Sequence, residues 1–247
     1  MIHYKVHLEY DGTNYVGWQA QKDSKKSIEE IAINAIYNLS QENVKINCAG
    51  RTDAGVHAIN QVIDFFLEKK FSPHNIIMGL NHHFQDTDVV ALSCDIVDEN
   101  FHSRFSAISR SYRYVIINRK ARLALDRYRA WHISKVLDIE MMRQSSRLLE
   151  GCHDFSSFRD SQCQSNSPIK TIDKIAIITD GEKIFIDIHA KSFLHHMVRN
   201  IVGTLMWVGI KKISVEDVQK ILDLRDRSCS GPNAPACGLY FLGAIYS

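Results

Sequence analysis

The residues best suited to chemistry lie in Ala49-Gly50-Arg51-Thr52-Asp53-Ala54-Gly55-Val56-His57. This is a small-residue loop around one arginine and one carboxylate. Gly50 and Gly55 open backbone angles closed to other residues and allow close approach by a ligand. Apolar alternation on both sides predicts strands, so the loop is expected to be tight and sheet-held. An aspartate fixed on such a loop can serve as a nucleophile or general base. The competing reading is a hairpin turn in which Asp53 bonds its own backbone. A second chemical residue is Arg199, in the middle of the apolar helical stretch Ser192–Gly203. A buried guanidinium needs a carboxylate or phosphate, unless its stem carries it to a solvent rim. Asp53 is the partner that makes chemical sense, because the pair would keep that carboxylate ionised and fixed.

Other chemistries lack their residues. There is no His-Glu-x-x-His and no paired-cysteine spacing. His195-His196 and His82-His83 are neighbours, and neighbouring side chains on a helix point apart, so no metal is expected. No Gly-x-x-x-x-Gly-Lys, Gly-x-Gly-x-x-Gly or Gly-x-Ser-x-Gly occurs, which argues against nucleotide, dinucleotide and serine-hydrolase chemistry. From Arg104 to Arg129 there are eight Lys or Arg residues against one acidic residue, Asp126, with Tyr112, Tyr114 and Tyr128 interleaved. That pattern suits a nucleic-acid surface, and equally a solvated strand-loop face.

The chain has 247 residues, 45% of them hydrophobic, and a formal net charge of +2. That is room for a real core in one large domain or two small ones. No apolar run reaches the ~18 residues of a membrane span. Met1–Val6 alternates as a strand rather than a signal peptide. Six scattered cysteines read as reduced thiols of a cytoplasmic protein.

The elements that must position these residues follow from periodicity. Residues 2–10 read as a strand ended by Asp11-Gly12, and Ser27 with Glu30 makes a capping box for a helix through Leu39. Val44–Cys48 and Gln61–Phe66 read as strands on either side of the Asp53 loop. Ser72-Pro73 opens a helix and Val89–Cys94 is a strand. The order β-α-β-β-α-β is the ferredoxin-like pattern. It repeats after residue 105. Tyr112–Ile116 is a strand, and Asp138 caps a helix that Gly151 stops. Ile172–Thr179 and Lys183–Ala190 form a hairpin at Asp180-Gly181. Leu194–Val208 and Ser214–Leu222 are helices, and Leu239–Tyr246 is the last strand. The expected fold class is therefore α+β. Two tandem ferredoxin-like halves, 1–105 and 106–247, would join into one mainly antiparallel sheet with a central cleft that the basic stretch could line, for a nucleic acid.

Taken together, these blocks resemble the TruA-type tRNA pseudouridine synthases over nearly the whole chain. The matching blocks are Tyr10-Asp11-Gly12 with Gly17-Trp18-Gln19 inside residues 6–21, then Ala49–His57, and Phe101–Ala107 with Tyr112-Arg113-Tyr114. Asp154–Phe158 and the Phe193–Gly203 helix complete the set. The resemblance implies isomerisation of uridine to pseudouridine at positions 38–40 of the tRNA anticodon stem-loop, by a homodimer without cofactor or metal. It implies Asp53 as the catalytic aspartate, Arg199 as its basic partner and Tyr112 as the ring that stacks on the target uracil. Arg51 is implied as the residue that enters the helix to extrude the base, at a cost of a few kcal/mol. The basic strand residues Arg104, Arg110 and Arg113 are expected to contact RNA. Asp53 could attack the sugar, add to the uracil ring or act as a base toward the ribose. One departure is Asn81-His82-His83-Phe84-Gln85-Asp86, which lacks the family's proline, so a less rigid loop and altered RNA choice are expected there. The rival readings are the same reaction on another RNA, a non-catalytic RNA-binding protein and an aspartate-dependent hydrolase.

Overall fold

The computed structural model describes residues 1–19 and 26–247. Residues 20 and 21, the end of the opening block, lie outside the described residues. Packing divides the chain into two units, Met1–Ile108 with Tyr240–Ser247, and Ser109–Leu239.

In the first unit, strand β1 (Ile2–Tyr10) is followed by helix α1 (Ile28–Ser40). Next come β2 (Asn47–Cys48), β3 (His57–Leu67), α2 (Pro73–His83) and β4 (Val89–Ile96). The strand order is β4-β1-β3, with β2 on β3, all antiparallel. That is the ferredoxin-like arrangement. Tyr4, Val6, Leu8 and Tyr10 fill the core from β1, as their alternation requires. Both helix starts follow the sequence signals. Ser27 and Glu30 form the reciprocal capping box, and Ser72 caps a helix with proline in its first turn.

Two features of this unit depart from expectation. Strand β2 is only two residues long, so the start of β3 is left open for another strand. Strand β10 (Leu239–Tyr246) takes that place, running parallel to β3 through Tyr240↔His57 and Phe241↔Ala58. Sequence order assigns this strand to the second half; from Tyr240 onward it packs in the first unit. The turn after α2 is also well held without a proline. Asn81 bonds both the N–H and the carbonyl of Ala91, at 2.8 and 2.9 Å, and Thr87 bonds the Phe84 carbonyl through N and Oγ1.

The second unit contains β5 (Ala107–Asn118, from Ser109 on), β6 (Trp131–Ile133), α3 (Ile139–Arg147) and β7 (Gly151–Asp154). Strands β8 (Ile169–Asp180) and β9 (Lys183–Ala190) and helices α4 (Met197–Gly209) and α5 (Val215–Leu224) follow. Its strands run β5-β9-β8-β7, all antiparallel, with β6 parallel to β5. The short strands β6 and β7 were not legible in the pattern. The expected hairpin forms, but its two central residues are Gly181 and Glu182, with Asp180 paired to Lys183 and Gly181 at φ +56°. Asp138 and Ser214 cap their helices as expected. Helix α3 ends at Arg147, and Gly151, at φ +98°, opens β7 instead of closing the helix. Among the described residues, no helix is long and apolar enough to cross a membrane. All six cysteines are free thiols.

Candidate active site

Asp53, Arg51 and Arg104 belong to the first unit; Tyr112, Arg110, Arg113 and Arg199 belong to the second. Backbone contacts and a set of neutral side chains in the first unit support the Asp53 loop. The Trp18 N–H donates to the Thr52 carbonyl at 2.9 Å, and Gly17 bridges to Asp53 in antiparallel fashion. Gly17 sits at φ +103°, and a Cβ there would lie 2.5 Å from the Thr52 oxygen and 2.8 Å from the Asp53 carbonyl carbon. Only glycine permits both the angle and the approach. The sequence points to Gly50 and Gly55. Gly55 does adopt a positive φ of 77°, where the Val56 N–H turns back to the Asp53 carbonyl at 3.1 Å; Gly50 does not. Gly17-Trp18 of the opening block, remote in sequence, is in direct contact with the loop, a contact that its sequence position does not announce.

Beneath the loop, the Tyr10 hydroxyl shares a 2.7 Å hydrogen bond with Thr52 Oγ1. Gln61 Nε2 donates to the Gly50 carbonyl at 2.6 Å and to the Tyr10 oxygen at 3.3 Å. Burial pushes the Tyr10 phenol up, outweighing the hydrogen bonds from Thr52 and Gln61 that favour its ionised form. It therefore stays neutral, and this part of the mount does not titrate near neutral pH. The 17–18 segment also fixes the start of α1, through Ile28 N–H to the Gly17 carbonyl and Glu29 N–H to the Trp18 carbonyl. Arg51 is exposed at the rim. Burial raises the Glu29 carboxyl on α1, and the Arg51 charge opposes that rise, so the two lie close.

Arg199 is mounted differently. Its Nε donates to the Ala234 carbonyl at 2.7 Å, and the Ala234 N–H returns to the Arg199 carbonyl at 3.2 Å. The loop carrying Ala234 hangs on side chains. Thr204 Oγ1 accepts from Gly231 N–H at 2.8 Å, and Ser230 Oγ donates to the Ser157 carbonyl at 2.6 Å. Arg227 donates to Gly231 O, to Ser230 Oγ and to Asn200 Oδ1, and Asn200 Nδ2 donates to the Phe158 carbonyl. Asn200 and Thr204 are buried polar residues four apart on an otherwise apolar helix. That spacing is the sequence signal for this support. The Tyr114 hydroxyl completes the loop's support by donating to the Pro235 carbonyl at 2.7 Å.

The remaining candidates behave unevenly. Tyr112 stands on β5 opposite Ile188, 9% exposed, with its ring edge-on to Phe193 at 5.1 Å. Arg113 forks onto Asp187 with two 2.7 Å bonds and lies over the Phe185 ring. Those hydrogen bonds raise the guanidinium pKa further. Arg110 is largely buried and donates to the Lys191 carbonyl at 2.6 Å. Arg104 is exposed. The expected divergence of His195 and His196 is corrected. Their rings stack at 3.9 Å, because His196 precedes the helix in a left-handed conformation, φ 61°, instead of lying on it. Asp160 receives His196 Nδ1 at 2.8 Å. Its carboxyl is raised by burial but held lower overall by hydrogen bonds from Gln162 and His196 and by the two imidazoles.

A family model described as tRNA pseudouridine synthase matches residues 7–106 and 146–247, leaving out the stretch that holds Tyr112. The chain is 46% identical over 247 residues to the tRNA pseudouridine synthase A of Paramagnetospirillum magneticum, covering all of this chain and 96% of that protein. It is 45% identical over 246 residues to the protein of that name in Rhodospirillum centenum, with both chains covered completely. The Wolbachia pipientis protein of that name is 45% identical over 245 residues, 99% of this chain and 100% of its own.

Proposed function

Because the chain belongs to the tRNA pseudouridine synthase family, we propose that it isomerises uridine to pseudouridine in the anticodon stem-loop of tRNA, with Asp53 as the catalytic carboxylate. The observation that carries the assignment of Asp53 is its mount. A carboxylate on a glycine-spaced loop, fixed by Gly17, Trp18 and the Tyr10–Thr52–Gln61 bonds, has the rigidity a nucleophile or base needs.

The reaction breaks the C1′–N1 glycosidic bond, turns the uracil and joins C5 to C1′. The C5 hydrogen leaves as a proton and N1 gains one, so the product is an isomer and the balance closes without an oxidant or reductant. A base inside a stem is out of reach of any carboxylate, so it must first leave the stack at a cost of a few kcal/mol. Arg51, exposed beside Asp53, takes the vacated space in the stem, and the Tyr112 ring receives the uracil. Stacking of that kind returns about 1–3 kcal/mol per base. Arg199 supplies the positive charge that keeps the Asp53 carboxylate ionised. Phosphate contacts fall to Arg104, Arg110 and Arg113; Arg110 also bonds the Lys191 carbonyl and Arg113 the Asp187 carboxylate. The active species is a homodimer in the cytoplasm.

The test is tritium release from C5 of uracil-labelled, unmodified tRNA. Release is expected, and it should vanish when the uridines at positions 38–40 are replaced by cytidine. Release that survives those replacements would move the target elsewhere, and binding without any release would leave a non-catalytic RNA binder.

A further inference from the structure

Phe105 is 75% exposed, although it lies on a short turn that the rest of the first unit holds by hydrogen bonds. The turn spans residues 102–106 and is closed at both ends. The Ser106 N–H donates to the His102 carbonyl at 2.9 Å, and the His102 N–H donates to Ser106 Oγ at 3.0 Å. Inside it, the Arg104 N–H donates to His102 Nδ1 at 3.1 Å. Below it, Asp64 is completely buried on β3, and its Oδ1 accepts the Ser103 N–H at 2.7 Å. Its other oxygen takes Asn47 Nδ2 at 2.9 Å and His3 Nε2 at 3.0 Å. The Ser103 carbonyl accepts the Tyr246 hydroxyl at 2.8 Å, and Phe101 packs on the Tyr246 ring. A buried carboxylate is costly unless fully bonded, and one of the three bonds that satisfy this one anchors a backbone amide of the surface turn.

What that turn presents is an aromatic face between two cationic or polar groups. The Arg104 guanidinium lies 5.6 Å from the Phe105 ring centroid, and the His102 ring tilts against it at 4.4 Å. A rigid, exposed ring beside a cation is the arrangement by which proteins stack unpaired bases and hold the neighbouring phosphate. An apolar contact with a second copy of this chain would have to bury Arg104 together with Phe105, which the charge disfavours.

We propose that the 102–106 turn is a base-stacking tip: the Phe105 ring takes an unpaired nucleobase of the substrate RNA, Arg104 takes an adjacent phosphate, and Asp64 is the positioning residue that holds both. The assignment rests on the RNA reading given above and adds a contact outside the Asp53 loop. The turn lies at the surface, so changes at Phe105 leave the core intact.

The experiment compares Phe105→Leu, Phe105→Ala and Phe105→Tyr with the wild type, measuring tRNA affinity over a salt series and single-turnover tritium release. Leucine and alanine should both weaken tRNA binding roughly 5- to 150-fold, whereas tyrosine should stay within about twofold. The salt slope should be unchanged in the Phe105 series and should fall by about one in Arg104→Gln. A leucine variant that binds like wild type would overturn the proposal, since it keeps the apolar bulk and loses only the ring. So would an alanine variant whose affinity is intact while sedimentation shows lost self-association. If the wild type neither binds tRNA nor releases tritium, the functional reading falls and this inference with it. If the wild type is active and the Phe105 series is flat, only this inference falls.

Discussion

The mounts of Asp53 and Arg199 are built from different materials. Asp53 is held by backbone against backbone, with Gly17 and Trp18 laid along Thr52 and Asp53 and a neutral Tyr10–Thr52–Gln61 cluster beneath. Arg199 is held by a carbonyl on a loop that depends on the side chains of Asn200, Thr204, Arg227, Ser230 and Tyr114. The contact of Gly17 with Thr52 and Asp53 has no side chain to lose and fails when one is added. A side-chain mount fails when one polar group is deleted, because the partner left behind is buried and unpaired. The two regions should therefore respond oppositely to enlargement and to deletion.

The largest effect should come from the carboxylate itself. Asp53→Asn keeps the mount and removes the charge, so single-turnover pseudouridine formation should fall by on the order of 10²–10⁴-fold or more with tRNA affinity retained. Turnover within tenfold of wild type would remove Asp53 from the mechanism.

Next is the addition of one methyl group. Gly17→Ala places a Cβ against Thr52 and Asp53 at an angle that costs about 1–3 kcal/mol by itself. Thermal unfolding should drop by several degrees, and the single-turnover rate should fall with it because Asp53 is displaced. A lowered melting temperature with a normal rate would show that Asp53 does not depend on this contact.

Deletion should act in the second unit. Asn200→Ala removes the partner of Arg227 Nη2 and of the Phe158 carbonyl and should cost about 1–3 kcal/mol. Thr204→Val, nearly isosteric, removes the acceptor of the Gly231 N–H and should cost about 1 kcal/mol. Both should lower kcat more than they change KM for tRNA, and Thr204→Ser should restore the rate. A KM change alone would make the network a general scaffold with no special tie to Arg199.

The smallest effect concerns acid. Burial pushes Asp64 up, but hydrogen bonds from Ser103, Asn47 and His3 outweigh it and hold the carboxyl below its ordinary value of 3.8. The folded state thus resists protonation more than the unfolded chain does. Its contribution is complete above pH 3.8 and is lost as pH falls below that value. Urea midpoints measured from neutral pH downward should show a steeper acid loss in wild type than in Asp64→Asn. Equal slopes would deny Asp64 this role. The neutral cluster under Thr52 should contribute nothing to that slope.

How much the sequence disclosed depends on the distance between interacting residues. The caps at Ser27, Ser72, Asp138 and Ser214, and the turn between β8 and β9, are settled within four residues, so they could be read directly. The Asp53 loop and the Arg199 helix were legible as well, because a carboxylate among glycines and a guanidinium among apolar residues are anomalies of type, visible without a fold. What tertiary structure decided lies in contacts between remote segments. It set Gly17 against Asp53, turned Arg113 toward Asp187, withdrew Arg110 to the Lys191 carbonyl and bound Asp64 to Ser103. It stacked His195 on His196 by a left-handed residue that no local pattern announces. It gave β10 to β3 because β2 stops after two residues. Local propensity determines which elements form; which of their polar groups remain available for chemistry is decided only when burial forces each of them to find a partner.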